Sequence, residues 1–201
     1  MLLRLLLAVS LTGLAACSSG SGDPAGRPPV VTTGQATPDA QGRITGLLDP
    51  DAVSGGSAST GATRSGYAYL TETKGTAILA RAGLVNPQAI ANRPTTGIAR
   101  FDAPFEIAEV ADTRTSYEIT QATGTLPVTV DFGRLTVAGR GDGLTVAGRI
   151  GARSAGYTGT ATWNGMTGDL TGRVNGDSII GAFTGSGPTG AFSGGFGADA
   201  P

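Results

Sequence analysis

Three two-residue turn signals constrain this chain more than anything else in it: Asp142-Gly143, Asn164-Gly165 and Asn175-Gly176, each set between segments of alternating character. Asn-Gly and Asp-Gly pairs supply the two successive positive-φ positions of a type I′ turn, the connection that suits the twist of a tight β-hairpin. Side chains alternate across a strand, so each turn also dictates which faces meet. In LTVAGRGDGLTVAGR, residues 135–149, the hexamer Leu-Thr-Val-Ala-Gly-Arg occurs on both sides of the Gly-Asp-Gly. The turn at Asp142-Gly143 predicts Leu135 opposite Ile150 and Gly139 opposite Val146. Thr136, Ala138, Arg140, Thr145, Ala147 and Arg149 then share the other face.

The same logic extends both ways. In LPVTVDF, Leu126, Val128, Val130 and Phe132 share a face, and Gly133-Arg134 fits a turn that returns Leu135 and Val137 to it. Tyr157, Ala161 and Trp163 point one way, and the Asn164-Gly165 turn brings Met166, Gly168, Leu170, Gly172 and Val174 to the same side. After Asn175-Gly176, Ile179, Gly181 and Phe183 join them. A four-residue loop, Ser186-Gly187-Pro188-Thr189, predicts Phe183 opposite Phe192 and Ile179 opposite Phe196. Large residues repeatedly oppose glycines, which suits a curved sheet closing on itself around a narrow interior. The outward set is Thr, Ala, Arg and Asp, the reverse of a membrane-spanning barrel with its apolar band outside. The expected fold is therefore all-β: a small, soluble, antiparallel up-and-down β-barrel of about eight strands.

The first half is less regular. GYAYLTETKGTAILARAGL reads as a hairpin around Thr73-Lys74-Gly75, and TTGIARF and PFEIAEV as further strands, with Phe101, Phe105 and Ile107 as core candidates. NPQAIAN is the one plausible helical turn, with Asn86 as cap and Pro87 at the first helical position. Counted together the strands exceed eight, so some early ones are expected to form an outer sheet or to pack over the barrel mouth.

The N-terminus begins MLLRLLLAVSLTGLAAC. Arg4, an apolar run from Leu5 to Leu14 and small residues after it read as a secretory signal; the run is shorter than the ~20 residues that span a bilayer. Leu14-Ala15-Ala16-Cys17 resembles the lipobox of bacterial lipoproteins. That likeness implies cleavage before Cys17, a lipid on its thiol and an acylated (palmitate-type) amino terminus; Ser18 in the next position favours the outer membrane. The other reading is an ordinary signal peptide with a chance cysteine after it. From Ser18 to about Ala62 the chain is rich in Gly, Ser, Ala, Thr and Pro, too poor in apolar surface to fold alone, and reads as a tether. Only ITGLLDPDAV, residues 44–53, is more apolar and able to dock. The expected organisation is a lipoprotein signal peptide over 1–16, lipidated Cys17 and tether over 17–62, and a barrel domain over 63–201.

Composition narrows the chemistry. There is no histidine, so the commonest general base and metal ligand is missing. One cysteine makes neither an internal disulfide nor a zinc cluster. A net charge of −1 provides no field for nucleic acid. Asp102, Glu106, Glu109, Asp112, Glu118, Asp131, Asp142, Asp169 and Asp177 fall mostly at outward or turn positions, with no spacing that forces two into one cleft. The Gly-rich segments do not join a strand to a helix, so no phosphate cradle is expected, and the Asp-x-Gly turns lack an EF-hand or nonapeptide calcium pattern. Lys74, the only lysine, lies in a turn. No catalytic, cofactor or metal residue is assigned and no enzyme activity is expected. Tyr67, Tyr69, Tyr157 and Trp163 are open to two readings, the rim of a ligand mouth or core filling. Arg140, Arg149 and Arg173 are likewise either a basic stripe or a plain solvated face.

Three segments, RPTTGIARFDAPF, VTVDFGRLTVAGR and SIIGAFTGSGPTGAFSGGFGA, occur in that order and resemble the eight-stranded barrel of bacterial surface lipoproteins related to transferrin-binding protein B. The resemblance covers roughly Gly66 to Ala198 and implies the barrel topology and lipid-anchored display on the cell surface. Transferrin binding does not follow, because the receptors of that family have two lobes in a far longer chain. Thr184 stands where the family carries a loop tyrosine, and no ligand-contact residue carries over. The resulting expectation is an outer-membrane surface lipoprotein acting as a non-enzymatic binding module for a protein partner, a nutrient carrier or a host protein among the candidates. The alternatives are a structural or accessory envelope lipoprotein and a small-ligand carrier using the barrel interior.

Overall fold

The computed structural model describes residues 29–45, 53–56, 65–87, 93–112, 116–188 and 190–200. Twelve strands run through them: β1 (Val30–Gln35), β2 (Val53–Gly55), β3 (Gly66–Lys74), β4 (Ala77–Val85), β5 (Ile98–Asp112), β6 (Tyr117–Asp131), β7 (Thr136–Gly141), β8 (Leu144–Ile150), β9 (Gly156–Trp163), β10 (Met166–Val174), β11 (Ser178–Gly187) and β12 (Gly190–Asp199). The eight strands β5–β12 close into a barrel in chain order, with β12 pairing back onto β5. All barrel pairs are antiparallel. The expected all-β, eight-stranded closed barrel is the fold observed.

The hairpins follow the turn chemistry. Asp142 and Gly143 have φ of 47° and 86°, Asn164 and Gly165 of 46° and 78°, as type I′ turns require. Gly139 pairs with Val146 and Trp163 with Met166 as expected. The β6–β7 connection keeps the expected register, Val130 to Val137 and Asp131 to Thr136, by a different device. Leu135, not Gly133, takes the positive φ, at 57°. Asp131 Oδ1 accepts the Arg134 backbone N–H at 2.9 Å and closes a four-residue loop. After β10, Asn175 Oδ1 accepts the backbone N–H groups of Asp177 and Ser178, which places Gly176 and Asp177 at the turn.

One register differs from expectation. Phe183 pairs with Gly194 and Phe192 with Gly185, and Ile179 pairs with Ala198 rather than Phe196. Gly187 pairs with Gly190, so the connection is two residues long instead of four. The slip is two residues, so every side chain keeps its face. The two rings still meet diagonally, with centroids 6.0 Å apart. Opposed on one rung, two phenylalanines would compete for the same space inside a narrow barrel; against glycines each ring has room.

The barrel interior is a single apolar core. Phe101, Phe105, Leu126, Val128, Val137, Leu144, Val146, Tyr157, Met166, Leu170, Phe183, Phe192 and Phe196 are all buried in it. Tyr157 donates its phenol to the Ile180 carbonyl at 2.7 Å, so its one polar atom is satisfied inside. Trp163 packs edge-on against Phe105, centroids 6.2 Å apart. For Tyr157 and Trp163 core filling is therefore the observed role. The IARF end of TTGIARF and all of PFEIAEV, expected as separate strands, lie in one 15-residue strand, β5. Pro104 fits there because the β12 ladder ends at Phe105, leaving no partner for its missing N–H.

The remaining strands form a second, four-stranded sheet in the order β1-β4-β3-β2, with β1 parallel to β4. It lies against the outer wall formed by β5, β11 and β12. The β3–β4 hairpin that sequence placed in the barrel domain thus belongs to an outer layer, one of the two placements expected for surplus strands. The expected tether over 17–62 includes β1 and β2, so part of it is ordered. The Val30-Val31-Thr32-Thr33 run carries the β-branched residues a strand favours, and it adds to the β4 edge. Cys17 and the signal segment lie outside the described residues, as do residues 46–52 of the apolar patch and residues 88–92 of the expected helical turn.

Candidate binding surfaces

With the barrel filled, surfaces for recognition lie on the outside, and the sheet divides that outside into two regions. Under the sheet the contact is apolar with a few polar ties. Tyr67, Tyr69 and Ala82 pack on Ala108, Ile180 and Ala182, and Ile78 and Ala80 on Val110 and Ala191. Three small hydroxyls tie the layers together. Thr71 Oγ1 and Ser193 Oγ lie 2.7 Å apart. Ser193 also donates to the Leu70 carbonyl, and Thr184 donates to the Ala80 carbonyl at 2.9 Å. Thr184 is therefore a buried strut of the interface rather than a loop residue. Tyr69 donates its phenol to Glu106 at 3.3 Å. Burial, reinforced by the Glu106 charge, pushes the Tyr69 phenol up to about 12. Burial raises Tyr67 and Tyr157 as well. Tyr67 and Tyr69 thus fill the sheet–barrel contact and line no ligand mouth.

Away from the sheet, the outer faces of β6–β10 carry Thr123, Thr125, Thr129, Thr145, Thr158, Thr160 and Thr167, all exposed, with Arg140 and Arg149 among them. Several carboxylates serve local structure. Asp142 Oδ2 accepts the Thr125 backbone N–H at 2.9 Å, and Asp131 holds the Arg134 turn. Glu109 departs from the expected outward placement. It lies on the inner face with Phe105 and Ile107 and accepts the Trp163 indole N–H at 2.7 Å and the Asn164 amide at 2.8 Å. Strand parity through Phe101, Phe105 and Ile107 was the signal for it. Among the described residues no group of three or more carboxylate or cysteine side chains is placed to hold a metal ion.

One groove on the outer wall sits where the end of β4 meets β8–β10. Its volume is about 510 Å³. Leu84 and Pro87 form one bank; Arg149, Thr158, Thr171 and Arg173 form the other, with Ser154 at one end. Sequence reading placed Arg149 and Arg173 outside the barrel; the structure brings both to this groove and leaves Arg140, near the far end of β7, away from it. Nothing in the sequence links Leu84 and Pro87 to residues 149–173, because a docked sheet, not a local motif, brings them together.

No protein-family model matches the chain, and no curated protein matches it. Solved structures similar to it include a double mutant of transferrin-binding protein B from Haemophilus parasuis, with 16% identity, a TM-score of 0.49 and 68% of this chain covered. Transferrin-binding protein B from serogroup B Neisseria meningitidis has 15% identity and a TM-score of 0.47, again over 68% of this chain. The chain spans about a third of the length of each, 32%.

Proposed function

We propose that this protein is an outer-membrane surface lipoprotein, anchored by lipid on Cys17, whose barrel and docked sheet act as a non-enzymatic binding module for a protein partner. The observation that carries the reading is the filled barrel. A lipocalin-like carrier needs an interior cavity, and here Phe101, Phe105, Phe183, Phe192 and Phe196 are buried together in the barrel interior. That leaves outer surfaces for recognition and disfavours the carrier alternative. A lipid-anchored module also needs an outer wall compatible with water, and the threonine-rich faces of β6–β10 suit that.

The test combines fractionation with surface proteolysis. Wild-type protein should partition with outer membranes, and Cys17→Ser should release it. Protease added to intact cells should degrade the wild type. Retention of Cys17→Ser in the membrane would overturn the anchor, and full protection on intact cells would overturn surface display. Cross-linking on intact cells, read by mass spectrometry, should give one dominant protein adduct mapped to the outer wall or loops; adducts spread evenly over abundant neighbours would favour the accessory-envelope reading.

A further inference from the structure

We infer that the groove between the end of β4 and the outer wall of β8–β10 is a binding site for an oxyanion of the phosphate or sulfate class, carried on a larger organic group. This goes beyond the proposed function and depends neither on the lipid nor on a protein partner. Four outward side chains make the cradle, and the strand register explains why they adjoin. Arg149 pairs with Thr158, and Thr158 pairs with Thr171. Arg173 follows two residues after Thr171, on the same face. Two arginines therefore adjoin two threonines on one outer face, and Ser154, whose hydroxyl donates to the Gly156 carbonyl at 3.5 Å, lines the groove as well. Guanidinium presents N–H donors in a planar fork that matches oxyanion geometry, and hydroxyls supply further donors.

The surroundings favour negative charge. Among the described residues no Asp or Glu lines the groove. Two more arginines belong to the same end of the barrel: Arg153 in the β8–β9 loop, and Arg93, whose Nη2 donates to the Ala152 carbonyl at 3.3 Å. Asp131, Asp177 and Asp199 also belong to this end, so it is the groove lining, and not the whole end, that lacks acidic side chains. The groove, at about 510 Å³, is much larger than a bare oxyanion, and Leu84, Pro87 and Ile150 give it an apolar side. The fitting ligand is an anionic head on a partly apolar body. A lipid headgroup and a soluble phosphorylated or sulfated molecule share that chemistry.

The full chain carrying Cys17→Ser, so that no lipid competes, should be titrated with inorganic phosphate and followed by backbone amide chemical shifts. Saturable shifts confined to residues 149–158 and 171–173 are expected. Arg149→Gln and Arg173→Gln should each weaken the interaction at least tenfold, while Arg134→Gln, a charge loss at the same barrel end but outside the groove, should leave it unchanged. Flotation with vesicles of phosphatidylcholine, with and without phosphatidylglycerol, separates the sources. Binding that needs phosphatidylglycerol and Arg149 identifies a lipid headgroup; phosphate binding without vesicle binding identifies a soluble ligand. If neither phosphate nor the anionic vesicles bind, or if Arg134→Gln weakens binding as much as Arg149→Gln, the site is overturned.

Discussion

Glu109 on β5 accepts the indole N–H of Trp163 on β9 at 2.7 Å, and these two strands stand four places apart either way round the eight-strand ring. The bond therefore spans the barrel mouth from one wall to the opposite one. Asn164 adds a second donor to the same carboxylate oxygen. Glu109→Ala removes both bonds and should lower stability by about 1–3 kcal/mol, the range for leaving such donors without their charged acceptor. Urea unfolding followed by Trp163 fluorescence checks this, and the native emission should shift to the red. An unchanged midpoint would mean that water replaces the carboxylate at no cost.

Gly181 tests the tight interior. A Cβ added there would stand 2.6 Å from the Phe196 ring and 2.8 Å from the Tyr157 hydroxyl, closer than real contacts allow. Gly181→Ala should cost about 1–3 kcal/mol through overpacking. Gly34→Ala on β1, where nothing lies within 4 Å of the added atom, should be close to neutral. Equal effects of the two, measured by thermal melting, would contradict the packing described for the barrel.

The hydroxyl pair Thr71–Ser193 offers a test of how the sheet is held. Ser193→Ala should cost about 1 kcal/mol. Combining it with Thr71→Val should add less than the sum of the single effects, because both changes remove the same 2.7 Å contact. Strict additivity in a double-mutant cycle would show that the two residues act separately.

Alkaline pH should weaken the sheet–barrel contact. The Tyr69 phenol is raised in the folded protein to about 12, against about 10 for an unfolded chain. The folded state thus holds that proton more tightly. Its contribution is complete below about pH 10 and is lost as pH rises toward 12. Phenolate absorbance of the native protein should appear later than that of the urea-unfolded chain. Tyr69→Phe should reduce the fall in stability across this window without abolishing it, because Tyr67 and Tyr157 are raised too.

Sequence disclosed the barrel well where turn chemistry and alternation agreed. From Leu126 to Val174 the inner face reads directly from Asp142-Gly143, Asn164-Gly165 and period two. A four-residue loop predicts Phe183 opposite Phe192, whereas the opposition of large residues to glycine selects Phe183 against Gly194, the pairing observed. The outer sheet was harder to see. Its β1 strand sits in a stretch whose Gly and Pro content masks a four-residue β-branched run, and its pairing with β4 joins Val30 to Ala77, a separation no local pattern carries. For the same reason Arg149 and Arg173 were legible as outward residues but not as neighbours of Leu84.

The docked sheet also imposes an order of assembly. Its buried face rests on Ala108, Ile180, Ala182 and Ala191, the last three of which follow β4 by about a hundred residues. A chain emerging amino end first would expose Tyr67, Tyr69 and Ile78 until β11 and β12 arrive to cover them. That interval is a window of stickiness, and escorts that hold unfolded chains would be needed most during it.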